Sequence, residues 1–405
     1  MSADRPARIL DVTRLLSRVG RGPLTGVDRV ELAYLHALSA REEPLVLLAR
    51  TAYGYLLLPK SAGTELEAWL ADPAKLPSPG LLDRLRRRLG PVARAEAGLR
   101  AMAVGRAPHW WLTALVTRGL PKGGTYLNVG LSGLTERALS QLRSVPGLNL
   151  TVMIHDTIPL DHPEFSREGE PAAFRAKLLA VARHADLVVT PSRATAEDVR
   201  RWCEAVAGSS PRVLAAPIGV EVTRSDLDAV PEGLDPKRPY FVALGTIEPR
   251  KNHALLLDVW EELGPDAPLL LLLGSRGWNN ADVFARLDRI AAAAGPVREL
   301  PGLGDGAVAA LLSGARALLM PSRAEGFGLP VAEAMALGVP VVAADLPVYR
   351  EFARDYPVYL DPSDVYSWKT TIREKAAKAG VTAAGDRQGD VPSWADHFNL
   401  VLGKT

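Results

Sequence analysis

Two glutamates in the segment EGFGLPVAE, Glu325 and Glu333, have a residue type and spacing suited to binding hydroxyl groups. A carboxylate accepts two hydrogen bonds at once, which matches the vicinal hydroxyls of a sugar or a ribose. Gly326 and Gly328 let backbone approach a ligand closely, and free amides at a helix start attract a diphosphate. The alternative is a helix-favouring Glu333 and an ordinary loop acid at Glu325, and spacing alone leaves both interpretations open.

Two adjacent cations, Arg250 and Lys251, follow the apolar run YFVALGT in the second half of the chain. At the end of a strand they could offset the charge of a departing diphosphate. The alternative is a basic surface loop, but the two acids favour the diphosphate clamp. Gly274 ends the run PLLLLLG, where a glycine can make a simple turn at the strand end.

The first half of the chain offers His155 and Asp156 at the end of the apolar run TVMI. A strand that ends there would direct both side chains into a cleft, where Asp156 could orient the imidazole or bond an acceptor. A purely structural histidine is the alternative. The loop VGRGPLTGVDRV contributes Gly26 just before a helix that carries Arg29.

These candidate residues belong to a pattern of short apolar runs that alternate with helix-length segments in both halves of the chain. Buried runs linked by helices indicate parallel sheets covered on both faces. The pattern occurs twice, on either side of a linker rich in Pro, Gly and Asp. The predicted fold class is therefore α/β, with two Rossmann-like doubly wound domains at residues 1–220 and 221–388 that face a central cleft.

The elements around the two glutamates can be placed in more detail. The strand ARALLMPS should end near Ser322, and the helix PVAEAMAL should begin at Pro330, whose missing N–H would be unpaired there anyway. Glu325 is then predicted in the loop at the strand's carboxyl end, and Glu333 in the first turn of the helix. In an open parallel sheet, ligands bind at that edge.

The composition argues against several other classes of protein. The 405 residues include 48 basic and 46 acidic side chains, a formal net charge of +2 that argues against a nucleic-acid-binding protein. The one cysteine, Cys203, leaves no disulfide framework and suits a reducing cytosol. The sequence shows no signal peptide and no apolar run long enough to span a membrane. A cytoplasmic location is predicted, with peripheral contact at the inner face of the membrane left open.

Residues 78–122 interrupt the alternation with a long, basic, helical stretch that includes the pair Trp110-Trp111. A basic helix beside an aromatic patch could rest on an anionic membrane surface. The alternative is a solvated helix that caps the first domain and buries the tryptophans in its core. Charge runs are usually solvated faces, which favours the second interpretation.

Several motifs together resemble family 4 of the retaining glycosyltransferases, which have the GT-B architecture of two Rossmann-like domains. EGFGLPVAE is similar to the E-x7-E signature of that family, GTIEPRKNHALLLDVW to its phosphate-binding strand-loop-helix, and APIGVE to its interdomain segment. HDTIPLDHPEF and TPSRATAEDVRRW resemble first-domain segments of bacterial members that make surface polysaccharides. VPSWADHFNLVL resembles the last helix of the fold, which would return residues 389–405 to the first domain.

The resemblance implies a role for each candidate residue. Glu325 would bond the hydroxyls of the donor sugar, and Glu333 those of the nucleotide's ribose. Arg250 and Lys251 would clamp the diphosphate and stabilise the leaving group, with His155 near the donor sugar. The remaining donor-binding positions would be Phe327, Gly328, Leu329, Gly274 and Gly26, and the acceptor-binding positions Asp156 and Arg29.

The implied activity moves a hexose or deoxyhexose, with retention, from a nucleotide-diphospho-sugar to an oligosaccharide or lipid-linked glycan in surface polysaccharide synthesis. The segment HDTIPL favours a donor of the GDP-mannose type. No D-x-D metal motif stands where the cleft should be, so a metal-independent reaction without further cofactors is predicted. Two alternatives remain, a sugar-nucleotide epimerase of the same fold and a non-catalytic scaffold.

Overall fold

The computed structural model describes residues 7–79, 87–234, 239–377 and 390–405. The strands are β1 (Arg8–Asp11), β2 (Leu45–Thr51), β3 (Gly54–Pro59), β4 (Gly105–Ala107), β5 (Gly124–Asn128), β6 (Leu148–Met153), β7 (Leu187–Thr190), β8 (Arg212–Ala215), β9 (Tyr240–Leu244), β10 (Leu269–Leu273), β11 (Val297–Leu300), β12 (Leu318–Met320), β13 (Val341–Ala344) and β14 (Val358–Leu360).

The α-helices alternate with these strands, as the sequence pattern predicts. They span Thr13–Arg18, Gly26–Ser39, Ser61–Ala71, Pro91–Met102, Leu112–Gly119, Glu136–Arg143, Ile158–Asp161, Glu170–His184, Arg193–Ala207, His253–Leu263, Ala281–Ala292, Asp305–Ser313, Leu329–Ala336, Pro347–Ala353, Val365–Ala377 and Trp394–Leu402. Short 3-10 turns lie at Pro73–Lys75, Pro163–Phe165 and Pro249–Lys251.

The first domain is built on a sheet of eight described strands in the order β4-β3-β2-β1-β5-β6-β7-β8. Its strands pair in parallel, except that β3 is antiparallel to both β2 and β4. Neighbouring residues on β1 enter different apolar cores, Ile9 on one face and Leu10 on the other, and both are fully buried. Burial on both faces explains why these strands appear in the sequence as continuous apolar runs.

The second domain has six described strands in the order β11-β10-β9-β12-β13-β14, all parallel. Counted from β9, this is the 3-2-1-4-5-6 order of a Rossmann sheet. Its strand β10 consists of five leucines, and they alternate between two cores that cover opposite faces of the sheet. The α/β, doubly wound prediction is confirmed.

The helix Trp394–Leu402 follows the second domain in sequence but packs against the first. Phe398 and Val401 lie in the same buried core as Tyr34 of the first domain. The Tyr34 hydroxyl is 2.7 Å from Nε2 of His397, which is itself 1% exposed. The chain therefore crosses between the two domains at this end as well as in the linker.

The region of residues 78–122 differs from the prediction of one long helical stretch. Among its described residues, two helices, Pro91–Met102 and Leu112–Gly119, are separated by the edge strand β4. Residues 80–86 of this stretch lie outside the described residues.

The expectation that the tryptophans of this region are buried is wrong. Trp110 and Trp111 are 66% and 62% exposed. The physical reason is that Leu112, Leu115 and Val116 fill the inner face of the helix that follows, which leaves the tryptophans before it on the surface. In the part of the chain that the structure describes, no helix has the length and apolar character needed to cross a membrane.

Candidate active site

A cavity of about 640 Å³ lies between the two domains, within the range typical of small-molecule sites. Its walls are loops that follow β1 and β6 in the first domain and β9, β10 and β12 in the second. The cavity therefore lies at the carboxyl ends of the parallel strands, where the order of each sheet reverses. The lining includes every residue that the sequence nominates: Gly26, Arg29, His155, Asp156, Arg250, Lys251, Gly274, Glu325, Phe327, Gly328, Leu329 and Glu333.

Glu325 is held by two cations of its own domain. Nη1 of Arg250 is 2.7 Å from its Oε2, and Nζ of Lys251 is 2.5 Å from its Oε1. Burial raises the pKa of Glu325, but the charges of Arg250 and Lys251 outweigh burial and lower that pKa to about 2. The carboxylate therefore stays ionised at neutral pH, with two positive charges beside it.

Glu248 is a further member of this charge cluster that the sequence analysis missed. It is 3% exposed, and its Oε1 lies 3.0 Å from Nε of Arg250. Arg250 also donates to the carbonyl oxygen of Ala324 at 2.8 Å, so its guanidinium is fixed on several sides. The position of Glu248 two residues before Arg250 is the signal that could have identified it.

Two glycines give the EGFG loop its course. Gly328 has φ +103°, and a Cβ atom there would lie 2.3 Å from the Tyr349 ring. A Cβ atom on Gly326 would lie 2.1 Å from the carbonyl oxygen of His155, in the opposite domain. Since both values are shorter than any real Cβ contact, the loop can pass between the domains only with glycine at these positions.

The residues between and after these glycines start the helix Leu329–Ala336. The Phe327 side chain is buried and stacks on Phe352, with ring centroids 4.7 Å apart. That packing fixes the backbone at the helix start, where the first amides have no partner within the helix. Together with Lys251, this end of the helix can bind an anion.

Glu333 lines the same cavity as Glu325. It is the fifth residue of the helix Leu329–Ala336, so the prediction that places it in the first turn is wrong. The helix begins one residue before Pro330, which puts Glu333 in the second turn. Burial raises the pKa of Glu333, with Arg29 acting in the opposite direction.

Arg29 reaches across the cleft from the first domain to this acid. Its Nη1 is 2.5 Å from Oε1 of Glu333, and the two side chains are 30% and 12% exposed. The residue predicted to meet the acceptor therefore contacts, in this structure, the proposed ribose-binding acid. Sequence reasoning could not find this pair because its members are 304 positions apart.

His155 and Asp156 form the first-domain wall opposite Glu325. Nε2 of His155 is 2.7 Å from the carbonyl oxygen of Val129, and burial lowers the pKa of His155 to about 4. The imidazole is therefore neutral at pH 7 and can act through hydrogen bonds. Asp156 accepts a hydrogen bond from the Ile158 amide, and burial raises its pKa while the charge of Arg250 opposes that rise.

The other two nominated glycines, Gly274 and Gly26, have different surroundings. A Cβ atom on Gly274 would lie 2.0 Å from the carbonyl oxygen of Gly245, so the ends of β10 and β9 approach too closely for a side chain. A Cβ atom on Gly26 would lie 3.2 Å from Cδ1 of Leu329, across the cleft. Gly274 is thus required by packing of the backbone, whereas Gly26 contributes to the width of the cavity.

The described residues contain no group of His, Cys, Asp and Glu side chains that could hold a metal ion. The positive charges that face the cavity from the second domain are those of Arg250 and Lys251.

Comparisons with known proteins agree with this geometry. Residues 225–375 match the family described as glycosyl transferases group 1. A serotype-specific mannosyltransferase WbdA of Escherichia coli is 34% identical over 53% of this chain, but the match covers 28% of that protein. The O-antigen chain mannosyltransferase RfbU of Salmonella typhimurium is 28% identical over 56% of this chain and 60% of its own. The chain thus spans less than two thirds of the length of these curated relatives.

Solved structures with the same fold cover nearly the whole chain. A sucrose-phosphate synthase from Thermosynechococcus elongatus aligns over 92% of this chain and 90% of its own, with a TM-score of 0.61 and 16% identity. Anabaena Alr3699/HepE, solved in complex with UDP, aligns over 99% and 95%, with a TM-score of 0.58 and 16% identity. At this level of identity, the likeness shows the fold alone, which is GT-B.

Proposed function

We propose that the protein, whose residues 225–375 match the family of glycosyl transferases group 1, transfers a hexose or deoxyhexose from a nucleotide-diphospho-sugar to a carbohydrate acceptor. The observation that carries this proposal is the buried cluster of Glu325, Arg250 and Lys251 beside Glu333. In this proposal the two cations would bind the diphosphate, and the two acids would bond hydroxyls of the sugar and of the ribose. Glu325 would hold the donor sugar, and Glu333 the ribose.

The proposed reaction retains the configuration of the anomeric carbon. Glu325 is engaged by two cations and is a poor nucleophile, which supports attack by the acceptor hydroxyl on the face of the leaving diphosphate. A diphosphate oxygen takes the hydroxyl proton as the bond from the anomeric carbon to phosphate breaks and the glycosidic bond forms. Arg250 and Lys251 stabilise the negative charge on the departing nucleoside diphosphate, so the reaction is proposed to need no metal.

The favoured donor is of the GDP-mannose type, and the favoured product is a cell-surface polysaccharide such as lipopolysaccharide or capsule. Support comes from the mannosyltransferase names of the relatives that match about half of the chain. A thermal-shift screen against GDP-mannose, UDP-glucose and dTDP-rhamnose tests the donor, because a ligand that binds the native state raises the melting temperature by mass action. The largest shift should come with GDP-mannose, and a shift with a uridine donor alone would reject this choice.

One incubation tests the activity against its alternatives. The protein is mixed with donor, with and without an oligosaccharide acceptor, and the products are analysed by mass spectrometry and sugar-isomer separation. A new glycosidic bond only when acceptor is present supports the proposal. Isomerised donor without acceptor would indicate an epimerase, and unchanged donor under all conditions would indicate a non-catalytic scaffold. Full activity in EDTA supports metal independence, and loss restored by Mn²⁺ or Mg²⁺ would refute it.

We further propose that the protein is cytoplasmic and contacts the inner face of the cytoplasmic membrane through a surface around Trp110 and Trp111. Exposed tryptophans prefer the interfacial region of a bilayer. Arg118 and Lys122 are exposed on the helix that follows the tryptophans and just beyond it. Burial lowers the pKa of His109, and the charges of Arg50 and Arg137 lower it further, so these two exposed cations lie near the surface.

Vesicle sedimentation tests the membrane contact independently of activity. Binding is expected to an equal mixture of phosphatidylcholine and phosphatidylglycerol, and the double variant Trp110→Ala/Trp111→Ala should reduce the bound fraction by at least about tenfold. Tyr366→Ala is the matched control, because Tyr366 is 71% exposed on the other domain. Equal binding of wild type and double variant, or no binding of the wild type, would refute this surface.

A further inference from the structure

The catalytic loop of the second domain is tied to a helix end of the first domain. The carbonyl oxygen of Gly326, next to Glu325, lies 3.2 Å from Oγ of Ser192 and 3.2 Å from Oγ1 of Thr195. Ser192 and Thr195 are 2% and 3% exposed and stand at the start of the helix Arg193–Ala207. Two buried hydroxyls therefore converge on one carbonyl oxygen of the opposite domain.

The hydrogen-bond arrangement can be assigned from the donors available. Oγ of Ser192 accepts the Thr195 amide at 3.1 Å and lies 2.9 Å from Oγ1 of Thr195. Each hydroxyl has one proton, so the chain that satisfies all groups runs from Ser192 to Thr195 and from Thr195 to the Gly326 carbonyl. Ser192 can turn its own proton to Gly326 when Thr195 has none to donate.

The loop has little freedom on its other sides. A Cβ atom on Gly326 would meet the His155 carbonyl oxygen at 2.1 Å and Cβ of Asp156 at 3.0 Å, so the first domain also closes on the loop from that direction. Glu351 of the second domain accepts the amides of Arg193 and Ala194 at 2.7 and 2.8 Å. The same helix end thus contacts the second domain at two separate points.

We propose that Ser192 and Thr195 are positioning residues that fix the loop carrying Glu325 when the two domains are together. Without their hydrogen bonds, the Gly326 carbonyl would be buried without a donor, and the loop would move to regain one. Such a movement displaces Glu325 on one side and the amides at the helix start on the other. The donor-binding loop is therefore aligned only when the two domains come together. This inference rests on the proposed glycosyl transfer only for its kinetic consequence.

The test is the double variant Ser192→Ala/Thr195→Val, in which neither side chain can donate. We expect kcat to fall by about tenfold or more with a smaller change in donor KM, because the loop is misplaced mainly for the transition state. The single variant Thr195→Val should have an intermediate effect, since Ser192 can replace the lost donor. Thr195→Ser keeps the hydroxyl and should retain most of the wild-type kcat.

Thr135→Val provides the control for helix capping. Thr135 accepts the Ala138 amide at the start of the helix Glu136–Arg143, and its hydroxyl does not line the cavity. The variant Thr135→Val should lower the melting temperature and leave kcat unchanged. If the double variant behaves in the same way, Ser192 and Thr195 are only capping residues and the proposal is wrong.

Hydrogen exchange separates this proposal from the proposed activity. In the double variant without ligand, the amides of residues 324–328 should exchange at least about tenfold faster than in the wild type, while those of β10 keep their protection. This result is expected even if the wild type transfers no sugar. Unchanged exchange in the loop would overturn the clamp, whatever the kinetics show.

Discussion

The two walls of the cleft have related folds but distribute charge differently. On the second-domain wall, the two cations Arg250 and Lys251 are balanced by the two acids Glu325 and Glu248 of the same domain. On the first-domain wall, His155 is neutral, and the cation Arg29 is paired with an acid of the other domain. The cluster around Glu325 is therefore paired within the second domain, whereas Glu333 and Arg29 are paired only across the cleft.

This difference suggests a division of labour. A wall whose charges are already oriented and desolvated can stabilise a developing diphosphate charge without rearrangement. A wall that presents the neutral His155 and Gly26, and whose Arg29 is paired across the cleft, can adjust to different acceptors. We infer that the second domain mainly stabilises the leaving diphosphate. The first domain mainly selects the acceptor and controls closure of the cleft.

The largest expected effect tests the second wall. Glu325→Gln keeps the shape of the side chain but removes the charge that two cations surround, so kcat should fall by about 10³-fold. Glu262→Gln is the control, because Glu262 is in an ion pair with Lys369 on the surface of the same domain. Steady-state kinetics with the screened donor measure both. If kcat of Glu325→Gln were within about fivefold of the wild-type value, the catalytic role given to Glu325 would be wrong.

The next prediction uses pH to compare the two walls. A buried His155 with a pKa of about 4 stabilises the fold fully above about pH 6.5, and this contribution is lost as the pH falls through 4. Its size is roughly 3 kcal/mol, at about 1.4 kcal/mol per pKa unit. Glu325, with a pKa of about 2, should lose its contribution only below about pH 4.5.

Denaturant unfolding between pH 7 and pH 4 measures this difference. The free energy of unfolding of the wild type should decrease as the pH falls from 7 to 4. The free energy of unfolding of His155→Gln should decrease less over the same range. Because other buried histidines, such as His397, titrate in the same range, the difference between wild type and variant is the relevant quantity. Parallel curves would mean that His155 is not buried as a neutral imidazole in solution.

Glu333 should show an effect of a different kind from Glu325. Glu333→Gln is expected to weaken binding of the nucleoside diphosphate by about tenfold, the value of a charge-assisted hydrogen bond, with a small change in kcat. Isothermal titration with the nucleotide alone gives the affinity, and the kinetics give kcat. If Glu333→Gln lowered kcat but kept the affinity for the nucleotide, the ribose-binding role given to Glu333 would be wrong.

The same contrast explains how much could be predicted from sequence. The second wall is encoded locally, because Glu325, Gly326, Gly328 and Glu333 share one segment and Arg250 and Lys251 another, so strand-loop-helix reasoning placed all of them in one cavity. The first wall depends on distant packing. The Arg29–Glu333 pair and the Ser192 and Thr195 contacts to Gly326 arise only when two domains meet, and no local pattern contains them.

Sequence reasoning was also wrong about the exposure of Trp110 and Trp111. A basic stretch with an aromatic pair favoured buried tryptophans, yet neighbouring aliphatic residues such as Leu112 and Leu115 fill the core instead. Which apolar residues of a short helix segment face the sheet depends on its rotation and its start. Those are set by contacts such as Gln141 with the Leu112 amide, 29 positions away.

The smallest expected effect concerns the glycine on the first wall. A Cβ atom on Gly26 would lie 3.2 Å from Cδ1 of Leu329, the end of a flexible side chain that can move by a few tenths of an ångström. Gly26 is the first residue of a helix, so alanine there favours the helix. Gly26→Ala should therefore keep or slightly raise the melting temperature and change donor KM by less than about threefold.

The matching variant on the second wall is Gly274→Ala, where the added Cβ would lie 2.0 Å from the Gly245 carbonyl oxygen. A backbone carbonyl cannot move aside as a flexible side chain can. The melting temperature of Gly274→Ala should therefore be clearly lower than that of the wild type. The pair of variants thus compares a wall that can adjust with one that cannot. If Gly26→Ala raised donor KM by more than about tenfold at an unchanged melting temperature, the first wall would be as tightly fitted to the donor as the second. The proposed division of labour between the two domains would then fail.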